Sequence, residues 1–229
     1  MNITPYHSSS AGNLYRVDDL LLEAGVSIHR IKKCLHYRLS EIRACLITHD
    51  HGDHATAVKG LLKAGVDCYM SQGTADALGV SGHRLHILEA GKQTRIDEWR
   101  VMPFATIHDA AEPLGFLIAK NEEKLLFLTD THYSPWRFRG LTHVMVEAGY
   151  DPGILQNNIS AGLIHPAVAR RTLHNHMSID TALGLLRAND LSAVQEVYLL
   201  HLSAANSDAD QFKGRVQQLT GRETYVAPE

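Results

Sequence analysis

The sequence concentrates metal-binding side chains in one short stretch, residues 48–54, which reads Thr-His-Asp-His-Gly-Asp-His. Side chains alternate along an extended loop, so His49 and His51 are predicted to point the same way. Asp53 and His54 follow at the entrance to a helix and can turn toward the same point from another side. Four such nitrogen and oxygen donors suit Zn²⁺ or a related divalent ion, and the mixed set leaves room for a second ion. The alternative is a polar, solvated loop.

The elements around this stretch predict how it is held. Residues 44–47 form a short apolar run that is typical of a buried strand. Residues 55–63 are predicted to form a helix that stops at Gly65. The ligand cluster is therefore expected on a loop between the end of a strand and the start of a helix.

Three further candidate ligands each follow an apolar run of strand type. His108 follows residues 104–107, Asp130 follows residues 125–129, and His201 follows residues 197–200. Functional groups often lie at strand ends, because the sheet fixes them while the loop gives access. Together with the 48–54 cluster, these residues predict a larger metal site.

Length and composition predict one ordinary globular domain spanning residues 1–229. Of the 229 residues 45% are hydrophobic and 21% charged, values typical of globular chains. The net charge of -3 gives no general basic field, so a nucleic-acid contact would need a local basic patch. Three cysteines without paired spacing fit a reducing compartment, and no signal pattern or membrane-length apolar run occurs. A soluble cytoplasmic protein is expected.

The order of predicted elements favours an α/β fold with packed sheets and outer helices. Strands dominate the first part of the chain and include a hairpin that turns at Asp18 and Asp19. A helix capped by Ser27 follows this hairpin. From Pro152 onward helices dominate. They are predicted at residues 152–156, 166–173, 178–187 and 208–219, with one strand at 194–200.

The full ligand pattern resembles the metallo-β-lactamase superfamily. His-x-His-x-Asp-His at 49–54 is followed by a strand-end His, a strand-end Asp and a late strand-end His. The resemblance implies an αββα four-layer sandwich with a two-metal site at one edge of the sheets. It also implies that His49, His51 and His108 hold one ion. Asp53, His54 and His201 would hold the other, and Asp130 would bridge them.

A narrower resemblance is to the YycJ (WalJ) branch, bacterial exonuclease-like proteins with phage relatives. Residues 108–116, His-Asp-Ala-Ala-Glu-Pro-Leu-Gly-Phe, carry the most branch-specific signature. Residues 8–13, 147–151, 176–178 and 201–207 resemble further branch motifs, with Ser9, Ala11 and Asn175 as departures. The resemblance runs over almost the whole chain.

The implied chemistry is hydrolysis of a phosphodiester by a metal-bridging hydroxide. Two ions about 3.5–4 Å apart can share a hydroxide that acts as nucleophile near neutral pH. The alkoxide leaving group is poor, so an acid near the site helps, and His176 is the candidate. Its alternative role is structural, at the start of the helix that Ser178 begins. Asp53 and His176 are the predicted catalytic residues. The best-known tRNA-processing relatives have a Glu three residues before the bridging Asp, where this chain has Phe127.

Several residues are candidates for contact with an anionic substrate. Arg170 and Arg171 precede His176 on a predicted helix and could hold phosphates, or simply form an exposed face. Ser9 and Ser10 could face the metals, as the branch resemblance implies, or form a plain turn. Basic and aromatic residues alternate in a loop after Asp130. This pattern favours either binding of a nucleic-acid strand by charge and stacking, or an aromatic contact in a small core or a dimer interface. Its members are Trp136, Arg137, Phe138 and Arg139.

These patterns predict a dinuclear metal-dependent phosphodiesterase, most specifically a DNA exonuclease, with two divalent ions. Zn²⁺ is the favoured metal and Mn²⁺ the alternative. A second hypothesis keeps the hydrolase but assigns a small phosphodiester, thioester or lactone as substrate. A third is a metal-binding regulatory protein without turnover. The expected partner is nucleic acid rather than a membrane. The sequence leaves open whether the substrate is DNA or RNA, in which direction an exonuclease would act, and what the oligomeric state is.

Overall fold

The computed structural model describes residues 1–228 and divides into two compact units. The first unit comprises Met1–Ala105 and Ala110–Phe116, with residues 227–228. The second comprises Thr106–Asp109 and Leu117–Val226. The assignment of residues 1–229 to one domain stays a prediction.

The first unit is built on a sheet with the strand order β1-β2-β3-β4-β5-β6. Strands β1 to β3 are antiparallel, whereas β3 to β6 are parallel. Because β4 is buried and parallel to both neighbours, its carboxyl end is a fixed point from which the 48–54 loop starts. The strands are Ile3–Ser9, Gly12–Val17, Leu20–Leu22, Ala44–Leu46, Asp67–Met70 and Leu85–Ile87.

Short helices cover this sheet in the first unit. They are α1 Ile28–Cys34, α2 Gly52–Ala55, α3 Val58–Lys63 and α4 Gln72–Leu78, with a 3-10 turn at Leu39–Glu41. Ser27 caps α1 through its side chain, as predicted. Ile31 and Leu35 pack into one apolar cluster with Cys45 and Leu61. Strands β7 Thr94–Ile96 and β8 Trp99–Ala105 form an antiparallel hairpin.

The single helix predicted at residues 55–63 is wrong, because two short helices, α2 and α3, occupy this region. The amide of Ala57 donates to the carbonyl of Ala24 at 2.8 Å instead of to Asp53, four residues earlier. The Asp53 carbonyl accepts from the Asn13 side chain at 3.1 Å. Tertiary hydrogen bonds therefore replace the helical bond and break the helix directly after the ligand cluster.

The second unit contains a mainly parallel sheet with the order β13-β12-β11-β10-β9. Strands β10 to β13 run parallel. The sequence did not predict β13, whose residues alternate between buried and exposed over only four positions. The strands are β9 Leu114–Lys120, of which residues 117–120 belong to this unit, β10 Glu123–Leu128, β11 His143–Glu147, β12 Glu196–Leu200 and β13 Glu223–Val226.

The predicted helices of the second unit are confirmed, with small changes at their ends. They are α5 Pro152–Ser160, α6 Pro166–Asn175, α7 Ile179–Arg187 and α8 Ala209–Thr220. Side chains of Asp151, Ser178 and Asp208 cap three of these helices. Among residues 1–228, no helix combines the length and apolar character needed to cross a membrane.

The three cysteines are free thiols, and burial predicts how they react. Burial raises the pKa of Cys68 to about 12 and the pKa of Cys45 well above its usual value. A raised pKa keeps a thiol protonated and therefore unreactive at mildly alkaline pH. Burial raises the pKa of Cys34 as well, but this thiol is only half-buried and a reagent can reach it. We therefore expect Ellman's reagent to modify only Cys34 in the native protein, and all three thiols after unfolding. In a Cys34→Ser variant, fast native reaction would contradict this assignment.

Candidate metal centre

The first unit brings the four clustered candidate ligands together, namely His49, His51, Asp53 and His54. The ring centroids of His49 and His51 lie 4.7 Å apart, and those of His49 and His54 lie 4.2 Å apart. The His54 Nε2 atom lies 3.4 Å from Asp53 Oδ2. The side chains of His49 and His54 are almost fully buried, while Asp53 is partly exposed. The loop therefore gathers nitrogen and oxygen donors at one place, as its spacing predicts.

Neighbouring polar groups orient the two buried imidazoles of the first unit. The Thr48 hydroxyl lies 2.9 Å from His49 Nδ1, and Glu23 Oε1 lies 3.6 Å from His54 Nδ1. The Thr48 contact on Nδ1 fixes the His49 ring and directs its Nε2 toward the position of a metal, while Glu23 is an acidic neighbour of His54. Asn13 Nδ2 lies 3.2 Å from His54 Nε2 and also donates to the Asp53 carbonyl at 3.1 Å.

Glu23 is a fully buried carboxyl group whose backbone has a φ of 67°. Burial raises its pKa, and the adjacent His54 partly offsets this increase. Its second oxygen, Oε2, accepts from the Thr48 amide at 3.4 Å. One buried carboxyl thus links the strand end at Leu22 to both Thr48 and His54.

Asp50 contributes to positioning within the cluster. Its Oδ1 atom accepts a hydrogen bond from the Ala111 amide at 2.9 Å. The Thr48 carbonyl accepts from the Leu114 amide at 2.9 Å. Asp50 and Thr48 therefore tie the ligand loop to the 110–116 segment of the same unit.

The second unit places Asp130 between two histidines. Asp130 Oδ2 lies 3.6 Å from His108 Nε2, and Asp130 Oδ1 lies 3.7 Å from His201 Nε2. Each carboxylate oxygen therefore faces a different imidazole, which is the disposition that a bridging ligand needs. Asp130 and His201 have φ values of 46° and 54°, which are uncommon for residues other than glycine. Such strain at two strand ends is typical of functional positions.

His176 lies beside this group and is held by a buried carboxylate. His176 Nδ1 is 2.6 Å from Glu147 Oε1, and Glu147 is fully buried at the end of β11. The His176 ring stacks on His201 with a centroid distance of 5.1 Å. Glu147 Oε2 accepts from the Thr131 amide at 3.1 Å. The buried Glu147 therefore fixes the His176 ring and holds the chain next to Asp130.

Of the four candidate substrate residues, Ser10, Arg170 and Arg171 are exposed and Ser9 is half-buried. In the first unit, Ser9 ends β1, and its hydroxyl accepts from the Ala11 amide at 3.2 Å. Ser10 is an exposed turn residue. In the second unit, Arg170 and Arg171 lie on the exposed face of α6, and Arg171 Nε is 3.6 Å from Asp109 Oδ2. Ser10 and both arginines are therefore accessible to a ligand.

The donor chemistry of both units fits divalent metal ions. The first unit gathers three imidazoles with one carboxylate, and the second gathers two imidazoles with the Asp130 carboxylate. Imidazole and carboxylate donors suit Zn²⁺, and a carboxylate-containing set also accepts Mn²⁺. The Asn175 carbonyl lies 3.3 Å from His108 Nδ1, so the same orienting pattern recurs in the second unit.

Sequence reasoning did not assign functional roles to Glu23, Asn13 or Glu147. Glu23 resembles an ordinary strand residue, because nothing local indicates its burial against His54. Asn13 and Glu147 do fall within the branch motifs at 8–13 and 147–151, so a signal was present for them. This chain has Phe127 on β10, and the carboxylate beside His176 comes from Glu147 on the neighbouring strand β11.

The fold and the donor set define a class of protein, the metal-dependent hydrolases of metallo-β-lactamase fold. The particular family follows from a family model described as the Beta-lactamase superfamily domain, which matches residues 19–202. The chain belongs to this family. The predicted α/β fold class of the metallo-β-lactamase type is confirmed by the family and by solved structures.

Two curated relatives have names that describe a nuclease. The chain is 28% identical to "Exodeoxyribonuclease WalJ" of Streptococcus pneumoniae serotype 2, over 87% of this chain and 81% of that protein. It is 26% identical to "Exodeoxyribonuclease YycJ" of Bacillus anthracis, over 93% of this chain and 86% of that protein. Among solved structures, the metallo-β-lactamase fold protein YhfI from Bacillus subtilis matches with a TM-score of 0.74 and 14% identity, covering 99% of this chain and 95% of that chain.

Proposed function

We propose that this chain is a dinuclear metal-dependent phosphodiesterase that degrades DNA as an exonuclease. The observation that carries the proposal is the group Asp130, Glu147, His176 and His201, whose ligand atoms lie within 4.8 Å of one another. It combines metal-type donors with an imidazole that a buried carboxylate orients. Two relatives named exodeoxyribonuclease, at 28% and 26% identity, support the choice of DNA as substrate.

Seven residues would hold the two ions. One ion would take His49, His51 and His108, the other would take Asp53, His54 and His201, and Asp130 would bridge them. Zn²⁺ is the favoured metal and Mn²⁺ the alternative. When bound, such a pair activates water and neutralises phosphoryl oxygens.

His176 is the proposed proton donor to the leaving oxygen. Glu147 accepts from Nδ1 at 2.6 Å, so the ring is held with Nε2 as the nitrogen that meets the substrate. The carboxylate also stabilises the positive charge that the ring carries before it gives up the proton. Asp53 and His176 are therefore the proposed catalytic residues, Asp53 as a ligand and His176 as the acid.

Arginine and serine side chains would bind the DNA backbone. Arg170 and Arg171 on α6 offer guanidinium groups that can hold phosphates in pairs of hydrogen bonds. Ser9 and Ser10 offer hydroxyl groups at the β1–β2 turn. We place this activity in the cytoplasm, because the three free cysteines suit a reducing compartment.

A comparison of substrates tests the proposal. Purified protein with Mn²⁺ or Zn²⁺ would be assayed on end-labelled DNA, bis(p-nitrophenyl) phosphate and a thioester. We expect stepwise nucleotide release from DNA that chelation abolishes and added metal restores. Turnover of the small phosphodiester or the thioester without DNA cleavage would replace the nuclease with a small-molecule hydrolase. Bound metal without turnover of any substrate would indicate a regulatory metal protein.

A further inference from the structure

The irregular loop at residues 131–140, which follows Asp130 directly, exposes two aromatic side chains. Tyr133 is 47% exposed and Trp136 is 46% exposed. Phe138 is 8% exposed and belongs to the core, so the loop separates its aromatic residues into different roles. Two half-exposed aromatic rings on one anchored loop offer ring surface with which a ligand could stack.

Hydrogen bonds hold the start of this loop against the candidate metal centre of the second unit. The Thr131 amide donates to Glu147 Oε2 at 3.1 Å, and the Thr131 hydroxyl donates to the Tyr133 carbonyl at 2.8 Å. The same hydroxyl accepts from the Ile107 amide at 3.1 Å, next to His108. Tyr133 is thus positioned by contacts with the residues that flank the proposed ligands.

The far end of the loop is anchored as well. The Phe138 amide donates to Asn189 Oδ1 at 2.6 Å, and Lys124 Nζ donates to the Arg139 carbonyl at 2.9 Å. Asn189 is itself held through its Nδ2 donation to the Leu185 carbonyl at 2.7 Å. With both ends fixed, Tyr133 and Trp136 present their rings with little further loss of conformational freedom on binding.

The charges on the loop favour a polyanion as the ligand. Arg137 and Arg139 are exposed, and Arg137 Nη1 donates to the Trp136 carbonyl at 3.2 Å. The Arg137 cation is therefore held against the backbone of the residue that carries the exposed indole. Aromatic faces paired with cations bind unpaired bases by stacking and their phosphates by charge. Bases within a duplex are already stacked, so the surface selects single-stranded nucleic acid.

We propose that Tyr133, Trp136 and Arg137 form a stacking platform for the unpaired bases of a single-stranded DNA end. The proposal rests on the proposed function, because it names the form of substrate that this centre receives. Bases beyond the scissile phosphate stack on Tyr133 and Trp136 while Arg137 contacts the adjoining phosphate. Duplex DNA therefore has to fray before its end is held.

Tryptophan fluorescence gives a site-specific test. The chain has two tryptophans, and Trp99 is 1% exposed, so quenching by a bound ligand reports on Trp136. The probe is a phosphorothioate oligo(dT) that resists hydrolysis, added to the metal-loaded full-length protein. We expect quenching in the wild type and its loss in Trp136→Phe, with oligo affinity measured by fluorescence anisotropy largely kept.

Truncation of the rings should weaken binding. We expect Trp136→Ala and Tyr133→Ala each to lower the affinity about 10-fold, which is the scale of one lost base stack. Tyr37→Ala is the matched control, because Tyr37 is a 68% exposed tyrosine of the first unit. A duplex of the same length should bind more weakly than the single strand to the wild type and respond less to these substitutions.

Two results would overturn the platform. One is that both alanine variants bind the oligonucleotide with wild-type affinity and the oligonucleotide does not quench Trp136 in the wild type. The other is a wild-type dimer in sedimentation that Trp136→Ala dissociates while oligo affinity stays the same, since the ring would then be a subunit contact. Turnover of bis(p-nitrophenyl) phosphate by the wild type is measured separately. Its absence would count against the proposed hydrolase, whereas the binding result alone decides the platform.

Discussion

Replacement of Gly25 by alanine is expected to destabilise the first unit and to weaken its hold on metal. A Cβ atom at Gly25 would lie 1.6 Å from the Asp53 carbonyl oxygen and 2.7 Å from the Asn13 amide nitrogen. Both neighbours are backbone atoms, so neither can rotate away. The Ala24 amide also donates to the His54 carbonyl at 2.8 Å, which ties the two segments together. Relief of the clash therefore has to move α2 and, with it, Asp53 and His54.

The expected size of this effect follows from overpacking. An added methyl group in a tight site costs about 1–3 kcal/mol and sometimes more, and here the upper end applies. For a chain of this length, a loss of about 3 kcal/mol lowers the melting temperature by roughly 6–12 °C. Metal content, measured by mass spectrometry after dialysis against limiting metal, should fall in the same variant.

Gly184 provides the matched control for Gly25. It lies inside α7, is exposed, and a Cβ atom there would meet nothing within 4 Å. Gly184→Ala should leave metal content unchanged and stabilise the helix by roughly 0.5–1 kcal/mol. A Gly25→Ala protein that melts and binds metal like the wild type would show that the Ala24–Gly25 segment does not position the ligand loop.

Replacement of Glu147 by glutamine is expected to reduce DNA hydrolysis about 10- to 100-fold without loss of metal. Glu147 accepts from His176 Nδ1 through one oxygen and from the Thr131 amide through the other. The glutamine side chain has a single oxygen, and that oxygen is expected to accept the hydrogen bond from the Thr131 amide, because this backbone donor cannot turn away. The amide nitrogen then faces Nδ1 and disfavours the doubly protonated ring. His176 becomes a poor acid while its position is kept.

Leaving-group dependence separates this role from a merely structural one. A p-nitrophenolate leaves without protonation, so bis(p-nitrophenyl) phosphate should be hydrolysed by Glu147→Gln at a rate much closer to that of the wild type. His176→Ala should show the same contrast, with a loss of about 10²–10⁴-fold on DNA. In the double variant, loss of Glu147 should add little, since the two residues act as one unit. Equal losses on both substrates would refute the assignment of His176 as the acid.

Much of the fold and of the candidate site can be predicted from local patterns. The apolar run before residue 48 and the spacing of His49, His51, Asp53 and His54 are local, so strand, loop and ligands follow from short-range rules. The same holds for His108 and His201, each of which follows a strand-like run. Ser27 and Ser178 show that a cap at the right offset also predicts a helix start.

The residues that support the site are harder to predict from local patterns, because their roles depend on tertiary contacts. The break between α2 and α3 arises from the bond of Ala57 to Ala24, which is remote in sequence. Gly25 resembles an ordinary turn glycine until the Asp53 carbonyl is known to pass next to it. Glu23 directly follows an apolar strand, and its neighbour His54 is too remote in sequence for a periodic pattern to predict the contact. Strand β13 has only four residues, too few for its alternation of buried and exposed positions to predict a strand.

Release of nucleotides from end-labelled single- and double-stranded DNA is the measurement that tests the central claim most directly. Purified wild type and an Asp53→Ala, His54→Ala double variant would be compared in Mn²⁺ and in Zn²⁺. We predict stepwise release by the wild type, faster on the single strand, and none by the double variant. Equal cleavage by both proteins, or none by either while bis(p-nitrophenyl) phosphate is turned over, would contradict a metal-dependent DNA exonuclease.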